Sequence, residues 1–464
     1  VSETLYTPIE KLEKFSENKD VLIIAVEISY KDDSPEAIHD GCIELAKETS
    51  SGTWVDITTA NEESTQADAW IIEEKGNIGY IGIPVHNWDI EYGGFNNAWP
   101  NLGGNYFGLY VLKKARLLDI YFPPAVVRQF PGPRYGADGI YDYFGFKRMI
   151  AGSIVKPKMG LSPVDWATVA ENVFLEADFV KDDENLLGQT FCPWNERFTE
   201  TMTRQQRITD ETGQKKMYAH NITGKDIIGR AHEAQALGEE LGTPGFSFMV
   251  DGVIAGVNSV HVLREQEDLH HPIYIHRAMH GAMTRGQQFG MTFLVWAKMF
   301  RMAGADYLHT GTYGSGKMGE REEFHPELTS PEDEPDEMPV DWLDSTMFLN
   351  HWLTKPWEYL KPTLPMASGG LFPGAMPRIR RFNGAIGNSY KIGVNAGGGI
   401  HGHIDGTRGG AKAFREMSEI SESEEFQALE TDEEKRAYLD ELTSQQGKEY
   451  LKWALENPQW GVLF

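Results

Sequence analysis

Residues 177–185, Ala-Asp-Phe-Val-Lys-Asp-Asp-Glu-Asn, place one amine and three carboxylates at the end of a short apolar run. Residues 177–180 read as a buried strand. Side chains alternate along a strand, so Lys181 and Asp183 share one face and Asp182 turns to the other, with Glu184 just past the last pleat. Oxygens gathered this way suit a hard divalent cation, Mg2+ first. Lys181 is the difficulty, because an ammonium repels a metal and an unpaired buried charge is expensive. One reading is a salt bridge between Lys181 and Asp183 on a solvated strand end. The other is that neutral Lys181 captures CO2 as a carbamate and becomes a third oxygen ligand. The rest of the chain has to decide between them.

Further candidate groups recur at similar positions. Lys156 and Lys158 are two apart, which puts them on one face of an extended strand. Near a cation and near each other, their ammonium forms are disfavoured, so one can serve as a general base. His276, Arg277 and His309 offer imidazole and guanidinium groups, and Arg277 suits a phosphate. Gly397, Gly398 and Gly399 leave backbone N–H groups open to an anion, and Ser368, Gly369 and Gly370 give a second small-residue turn. Two anion sites flanking a metal fit a small bisphosphate. Residues 310–320, Thr-Gly-Thr-Tyr-Gly-Ser-Gly-Lys-Met-Gly-Glu, have the composition of a lid with Lys317 at its tip. Met318 after that lysine excludes the nucleotide phosphate-loop pattern.

These groups need a scaffold that gathers strand ends. Apolar strands are expected at 153–158, 177–181, 216–221, 246–251, 273–276, 306–309, 364–368 and 392–396, with helices between them at 163–176, 198–212, 225–241 and 290–303. Eight such units make a (β/α)8 TIM barrel, whose site lies at the C-terminal ends of the strands. All eight expected strands end in, or run directly into, a polar residue or glycine. Residues 1–135 read as a separate α+β domain and residues 136–464 as the barrel with a C-terminal helical extension. The first domain should hold a strand at 21–28, a helix at 34–50, a turn into a strand at 52–57 and strands near 69–73 and 79–84. A Gly- and Asn-rich stretch at 93–105 then leads into a second helix over 106–117.

The formal net charge is −26, which argues against a nucleic-acid partner. The acidic runs at 330–337 and 416–441 read as solvated surface. No long apolar run suggests a membrane span, and the polar start argues against a secretory signal. Two cysteines, Cys42 and Cys192, provide no disulfide framework, so a reducing, cytoplasmic setting is expected.

Taken together, the motifs at 154–161 (Ile-Val-Lys-Pro-Lys-Met-Gly-Leu), 178–184 (Asp-Phe-Val-Lys-Asp-Asp-Glu), 275–280 (Ile-His-Arg-Ala-Met-His), 309–312 (His-Thr-Gly-Thr), 316–318 (Gly-Lys-Met) and 367–370 (Ala-Ser-Gly-Gly) resemble the large chain of ribulose-bisphosphate carboxylase/oxygenase, Rubisco. Glu48, the stretch Ser51-Gly52-Thr53-Trp54, and Gly104-Asn105 add to the likeness, which is nearest form II or archaeal form III. The resemblance implies carboxylation, with competing oxygenation, of ribulose 1,5-bisphosphate to 3-phosphoglycerate through an enediolate. It implies an activator CO2 held as a carbamate on Lys181, with Mg2+ bound by that carbamate, Asp183 and Glu184. Lys156 would take the C3 proton, Lys158 would orient the enediolate, His276 would accept a proton during hydration, and Lys317 would close over CO2. Arg277 and His309 would hold one phosphate. Thr53, Trp54, Gly370, Gly397 and Gly398 would hold the other, beside Gly369, with Ser368 on the sugar. Glu48, Thr53, Trp54 and Asn105 would come from the partner in a homodimer with shared active sites, which could assemble further; a small subunit is not expected. The alternative is a Rubisco-like enolase or isomerase acting on a sulfur-containing sugar phosphate. Two departures stand out. Glu176 replaces a usual glycine and is expected to crowd the metal strand. Residues 321–359 do not match the family pattern and read as a surface elaboration or assembly contact.

Overall fold

The computed structural model describes residues 4–53, 55, 57–318, 324–328 and 334–464. Its centre is a closed barrel of eight parallel strands: Ile150–Ile154, Phe179–Lys181, Met217–Asn221, Phe246–Asp251, Ile273–His276, Tyr307–Gly311, Leu364–Ser368 and Gly393–Ala396. They neighbour one another in sequence order, as short βα units demand. Ile150, Phe179, Met217, Met249, Tyr274, Tyr307, Leu364 and Met366 fill the interior. Helix Gly136–Phe144 closes the barrel's N-terminal end. There Tyr141 donates to the Tyr390 carbonyl at 2.6 Å and Tyr143 to the Lys216 carbonyl at 2.8 Å. Polar strand ends are left to the opposite mouth.

The N-terminal domain is a five-stranded sheet with helix Pro35–Glu48 on one face, its N-terminus capped by Ser34. The expected helix over 106–117 is not found. A helix runs instead over Ile90–Leu102, within the stretch read as loop, and Leu112–Tyr121 is a strand beside Val21–Tyr30. Its residues from Ala115 to Ile120 are buried, so sheet pairing overrides the helical spacing. Residues 289–291, read as the start of a helix, form another strand of this same sheet against Ala115–Leu117. The helix begins only at Phe293. Trp54 and Asp56 lie outside the described residues, and Gly52, Thr53, Val55 and Ile57 belong to no strand.

The two domains are joined by packing and buried charge. Trp99 meets Trp296 with ring centres 4.7 Å apart. Asp119 accepts from Lys298 at 2.5 Å and from the Tyr6 hydroxyl at 2.7 Å. The described part of 321–359 is more core than surface elaboration: Leu343, Met347, Leu349 and Trp352 are buried there. Nor is the acidic run wholly solvated. Glu334 is half-buried against Lys355 and lies 3.1 Å from His351 Nε2, while Lys355 and Lys298 lie over the Trp352 ring at 3.3 and 3.7 Å. Burial opposes ionisation of Glu334, but the His351 hydrogen bond and the Lys355 charge outweigh it and bring its carboxyl to about 2 from 4.5. A depressed carboxyl stabilises the fold above its unfolded pKa and loses that contribution as pH falls through the folded one. Between pH 4.5 and 2 the wild type should lose on the order of 3 kcal/mol that Glu334→Gln does not lose, read from denaturant midpoints across that range. Cys42 and Cys192 are both buried free thiols. Among the described residues no helix is long and apolar enough to cross a membrane.

Candidate active site

The second barrel strand places its charged end as the alternation requires. Lys181 and Asp183 face the mouth, while Asp182 points behind them into a sealed polar network. Asp182 accepts from Arg197 Nη2 at 3.1 Å, from the Tyr218 hydroxyl at 2.5 Å and from the Asn221 amide at 2.9 Å, with His220 Nδ1 3.1 Å away. Asp182 and Arg197 are wholly buried. Burial disfavours the Asp182 carboxylate, but the Arg197 charge and the His220 and Tyr218 bonds hold its carboxyl far below the usual range. Removing one partner of such a pair strands the other charge. Arg197→Met should therefore cost about 3–5 kcal/mol in urea unfolding, and a loss under 1 kcal/mol, the scale of an exposed pair, would show the network to be dispensable.

Lys156 and Lys158 lie beyond the end of the first strand at Ile154, in the connecting loop, and so are not strand neighbours as expected. They still reach the second strand. Lys156 Nζ donates to Asp183 Oδ2 at 2.6 Å, and Lys158 Nζ to Asn185 Oδ1 at 2.5 Å, with Asp183 and Glu184 at 3.7 and 3.8 Å. A side chain on Gly397 would come within 2.9 Å of Lys156 Cε, so glycine there makes room for the lysine stem between the carboxylates and the turn after the eighth strand. Burial opposes the Asp183 charge, but a bond shared with Glu184 and the Lys156 ammonium outweigh it and keep the carboxyl well below its usual range.

Lys181 is buried, and its Nζ donates to the Asp182 carbonyl at 2.7 Å. Burial pushes its pKa down against the opposing pull of Asp183, Glu184 and Asp251, and the nearby Lys156 charge pushes it the same way. A depressed amine is the form that reacts with CO2. No three His, Cys, Asp or Glu side chains converge as a metal site among the described residues. Asp183 and Glu184 supply two carboxylates, and the Lys181 amine, on the same strand end, feels the charge of both. The donor set therefore fits a hard cation once that amine carries a carboxylate.

The fifth and sixth strands bring the histidines together, with the His276 and His309 rings 4.7 Å apart. His276 lies across the ladder from Asp251, whose Oδ1 is 3.1 Å from Nδ1. Nδ1 also accepts from the Ala278 amide at 3.2 Å, while Nε2 lies 3.7 Å from Glu184, so the ring is fixed between two carboxylates with one of its nitrogens turned to the mouth. Burial, reinforced by Lys181, lowers the His276 pKa despite Asp251. Asn395 Nδ2 donates to the Tyr274 hydroxyl at 3.1 Å, so that hydroxyl donates to His309 Nε2. His309, neutral through burial, is left with an Nδ1–H donor. Sequence reading assigned no role to Asp251, Tyr274 or Asn395. The ladder register shows what Asp251 orients, and contacts through the barrel interior show what Tyr274 and Asn395 orient.

Arg277 lies over the Phe293 ring at 4.8 Å. The lid packs on the seventh strand's turn, where the Lys317 amide donates to the Gly369 carbonyl at 2.9 Å. Gly370, at φ 79, would drive any side chain to within 2.6 Å of Lys317 Cγ. Ser368 ends that strand, and Gly397 caps the short helix Gly398–His401. Glu176 does not crowd the metal strand, because its carboxylate turns out to accept from Arg408 Nε at 2.8 Å.

Glu48 and Asn105 line one open cleft of about 810 Å3 in the N-terminal domain. Thr53 bonds only locally, accepting from the Val55 amide at 3.2 Å. Among the described residues no hydrogen bond or ion pair joins Glu48, Thr53 or Asn105 to the barrel mouth of the same chain. Trp54 lies outside the described residues.

Two family models match this chain: ribulose bisphosphate carboxylase large chain, catalytic domain, over residues 138–456, and the N-terminal domain of the same chain over residues 13–126. The ribulose bisphosphate carboxylase of Methanocaldococcus jannaschii is 36% identical over 409 residues, 85% of this chain and 92% of the relative. That of Pyrococcus horikoshii is 35% identical over 377 residues, 80% of each chain. Among solved structures, the octameric ribulose-1,5-bisphosphate carboxylase/oxygenase of Pyrococcus horikoshii superposes with a TM-score of 0.78 at 31% identity, covering 98% of both chains. The dimeric archaeal Rubisco of Hyperthermus butylicus gives 0.76 at 27% identity, covering 95% of this chain and 96% of the other.

Proposed function

This chain belongs to the ribulose bisphosphate carboxylase large-chain family, and from that premise we propose that it adds CO2 to ribulose 1,5-bisphosphate and releases 3-phosphoglycerate. The observation that carries the reading is the single charged cluster at the barrel mouth. Lys156 contacts Asp183, His276 faces Glu184 under Asp251's control, and Lys181 is buried beside them.

The buried Lys181 amine attacks an activator CO2, forming an N–C bond and releasing one proton. The resulting carbamate, Asp183 and Glu184 would hold Mg2+. Bound there, the ion supplies positive charge for the oxygens of the enolised substrate. Lys156, freed from Asp183 and having given its own proton to solvent, takes the C3 proton of ribulose 1,5-bisphosphate as the neutral amine, and Lys158 steadies the enediolate that remains. Arg277 and the His309 Nδ1–H bind one phosphate. The backbone of Gly370, Gly397 and Gly398 binds the other, with Ser368 on the sugar. Lys317, at the lid's tip, covers the incoming CO2, and His276 accepts a proton as water adds. O2 competes for the same enediolate.

Among the described residues Glu48, Thr53 and Asn105 make no hydrogen bond or ion pair with their own mouth, which supports a homodimer in which the partner copy completes each site. The dimeric and octameric relatives support a homo-oligomer. The reading is tested by product analysis with 13CO2 and ribulose 1,5-bisphosphate. Equal amounts of singly labelled and unlabelled 3-phosphoglycerate are expected, and an isomerised bisphosphate without label would overturn the assignment.

A further inference from the structure

Tyr313 opens the glycine-rich lid with φ 52, a left-handed conformation that a non-glycine residue keeps only when its surroundings hold it. They do. Its ring is fully buried against Phe382, with centres 5.5 Å apart, and its carbonyl accepts from Arg378 Nε at 2.9 Å. Its hydroxyl sits in a directed relay. Asn383 Nδ2 donates to the Ser389 carbonyl at 2.8 Å, so the atom 3.0 Å from the hydroxyl is the Asn383 Oδ1, to which the hydroxyl donates. The hydroxyl in turn accepts from Asn350 Nδ2 at 2.6 Å. Tyr313, Asn350 and Asn383 are all wholly buried. One line of hydrogen bonds therefore runs from helix Thr346–Thr354, through the base of the lid, to helix Met376–Ala385 and the turn before the eighth strand.

Four residues after this anchor stands Lys317, whose side chain is exposed and whose amide rests on Gly369. We propose that Tyr313, held by Asn350 and Asn383, is the fixed pivot of the lid. These are positioning residues that set where Lys317 comes to rest, and with it how efficiently the enolised substrate captures CO2. The kinetic consequence rests on the carboxylase reading, whereas the pivot does not. Without the hydroxyl, Asn350 Nδ2 and Asn383 Oδ1 lose their partner, and the lid's base keeps only the ring packing and its backbone bonds.

Tyr313→Phe keeps the ring and removes the relay. In the full-length protein without substrate, tryptic cleavage after Lys317, followed by mass spectrometry, should be about tenfold faster than in wild type. With ribulose 1,5-bisphosphate, the ratio of C3 proton exchange to carboxylation should rise about tenfold, since proton removal by Lys156 does not need the lid and CO2 capture does. Adding Asn350→Leu removes one unmatched amide while Asn383 keeps its bond to the Ser389 carbonyl, and should raise the melting temperature toward wild type while the raised ratio and fast cleavage persist. Asn350→Ala, which deletes one bond of the relay, should shift both readings the same way and carries the test if Tyr313→Phe does not fold. Unchanged cleavage and ratio, or their return to wild-type values along with the melting temperature, would overturn the pivot. If the wild type fixes no CO2, the functional reading fails and the cleavage arm still decides the pivot.

Discussion

Lys156→Met is expected to lower carboxylation about a thousandfold, within the range for loss of a positioned general base. The choice of Lys156 over Lys158 follows from where each amine stands. Lys156 contacts Asp183 directly, and its stem runs beside Gly397, between the carboxylates and the turn after the eighth strand. Lys158 reaches out to Asn185 and is the more exposed of the two. C3 proton exchange should vanish together with carboxylation in Lys156→Met, because both need the same proton removed. Binding of ribulose 1,5-bisphosphate should survive, since Arg277, His309 and the glycine turns are untouched. Retained proton exchange in this variant would move the base to another residue.

Lys181→Ala should abolish activity at every CO2 concentration, a larger effect still, because no amine is left to carry the third oxygen ligand. The structure makes the reason concrete. Asp183 and Glu184 alone give two carboxylates, and the buried Lys181 amine on the same strand end feels the charge of both while burial disfavours its own. Isothermal titration should show Mg2+ affinity rising with added bicarbonate in the wild type and not in Lys181→Ala. Equal bicarbonate dependence in both proteins would place the CO2 elsewhere. Lys181→Glu, which installs a carboxylate directly, is expected to bind Mg2+ without bicarbonate, a signature that loss of folding would not produce.

The barrel could be read from sequence because each strand is an apolar run closed by a polar residue or glycine, and the strands at 246–251, 273–276 and 364–368 end where expected. What could not be read depends on contacts between distant segments. Leu112–Tyr121 carries helix-like spacing but is buried in a sheet whose outer neighbour, Phe289–Met291, comes from the barrel half of the chain. Lys156 and Lys158 looked like strand residues because Pro157, which ends such a run, separates two lysines at strand spacing. The role of Asp251 arises from lateral register and those of Tyr274 and Asn395 from a contact across the barrel interior, neither of which periodicity along one strand can supply. Glu48, Thr53 and Asn105 were expected at the site on resemblance alone, and among the described residues no hydrogen bond or ion pair joins them to their own barrel mouth. Glu176 shows the reverse case: an unexpected carboxylate behind the metal strand is accommodated by Arg408.

The most direct test of this account is acid-stable 14CO2 incorporation with ribulose 1,5-bisphosphate, measured before and after preincubation with bicarbonate and Mg2+, in wild type and Lys181→Ala. The account predicts label in 3-phosphoglycerate that depends on preincubation and is absent from the variant. A folded, Mg2+-binding wild type that incorporates no label after preincubation would contradict it and leave enolase or isomerase chemistry on a related sugar phosphate as the reading to pursue.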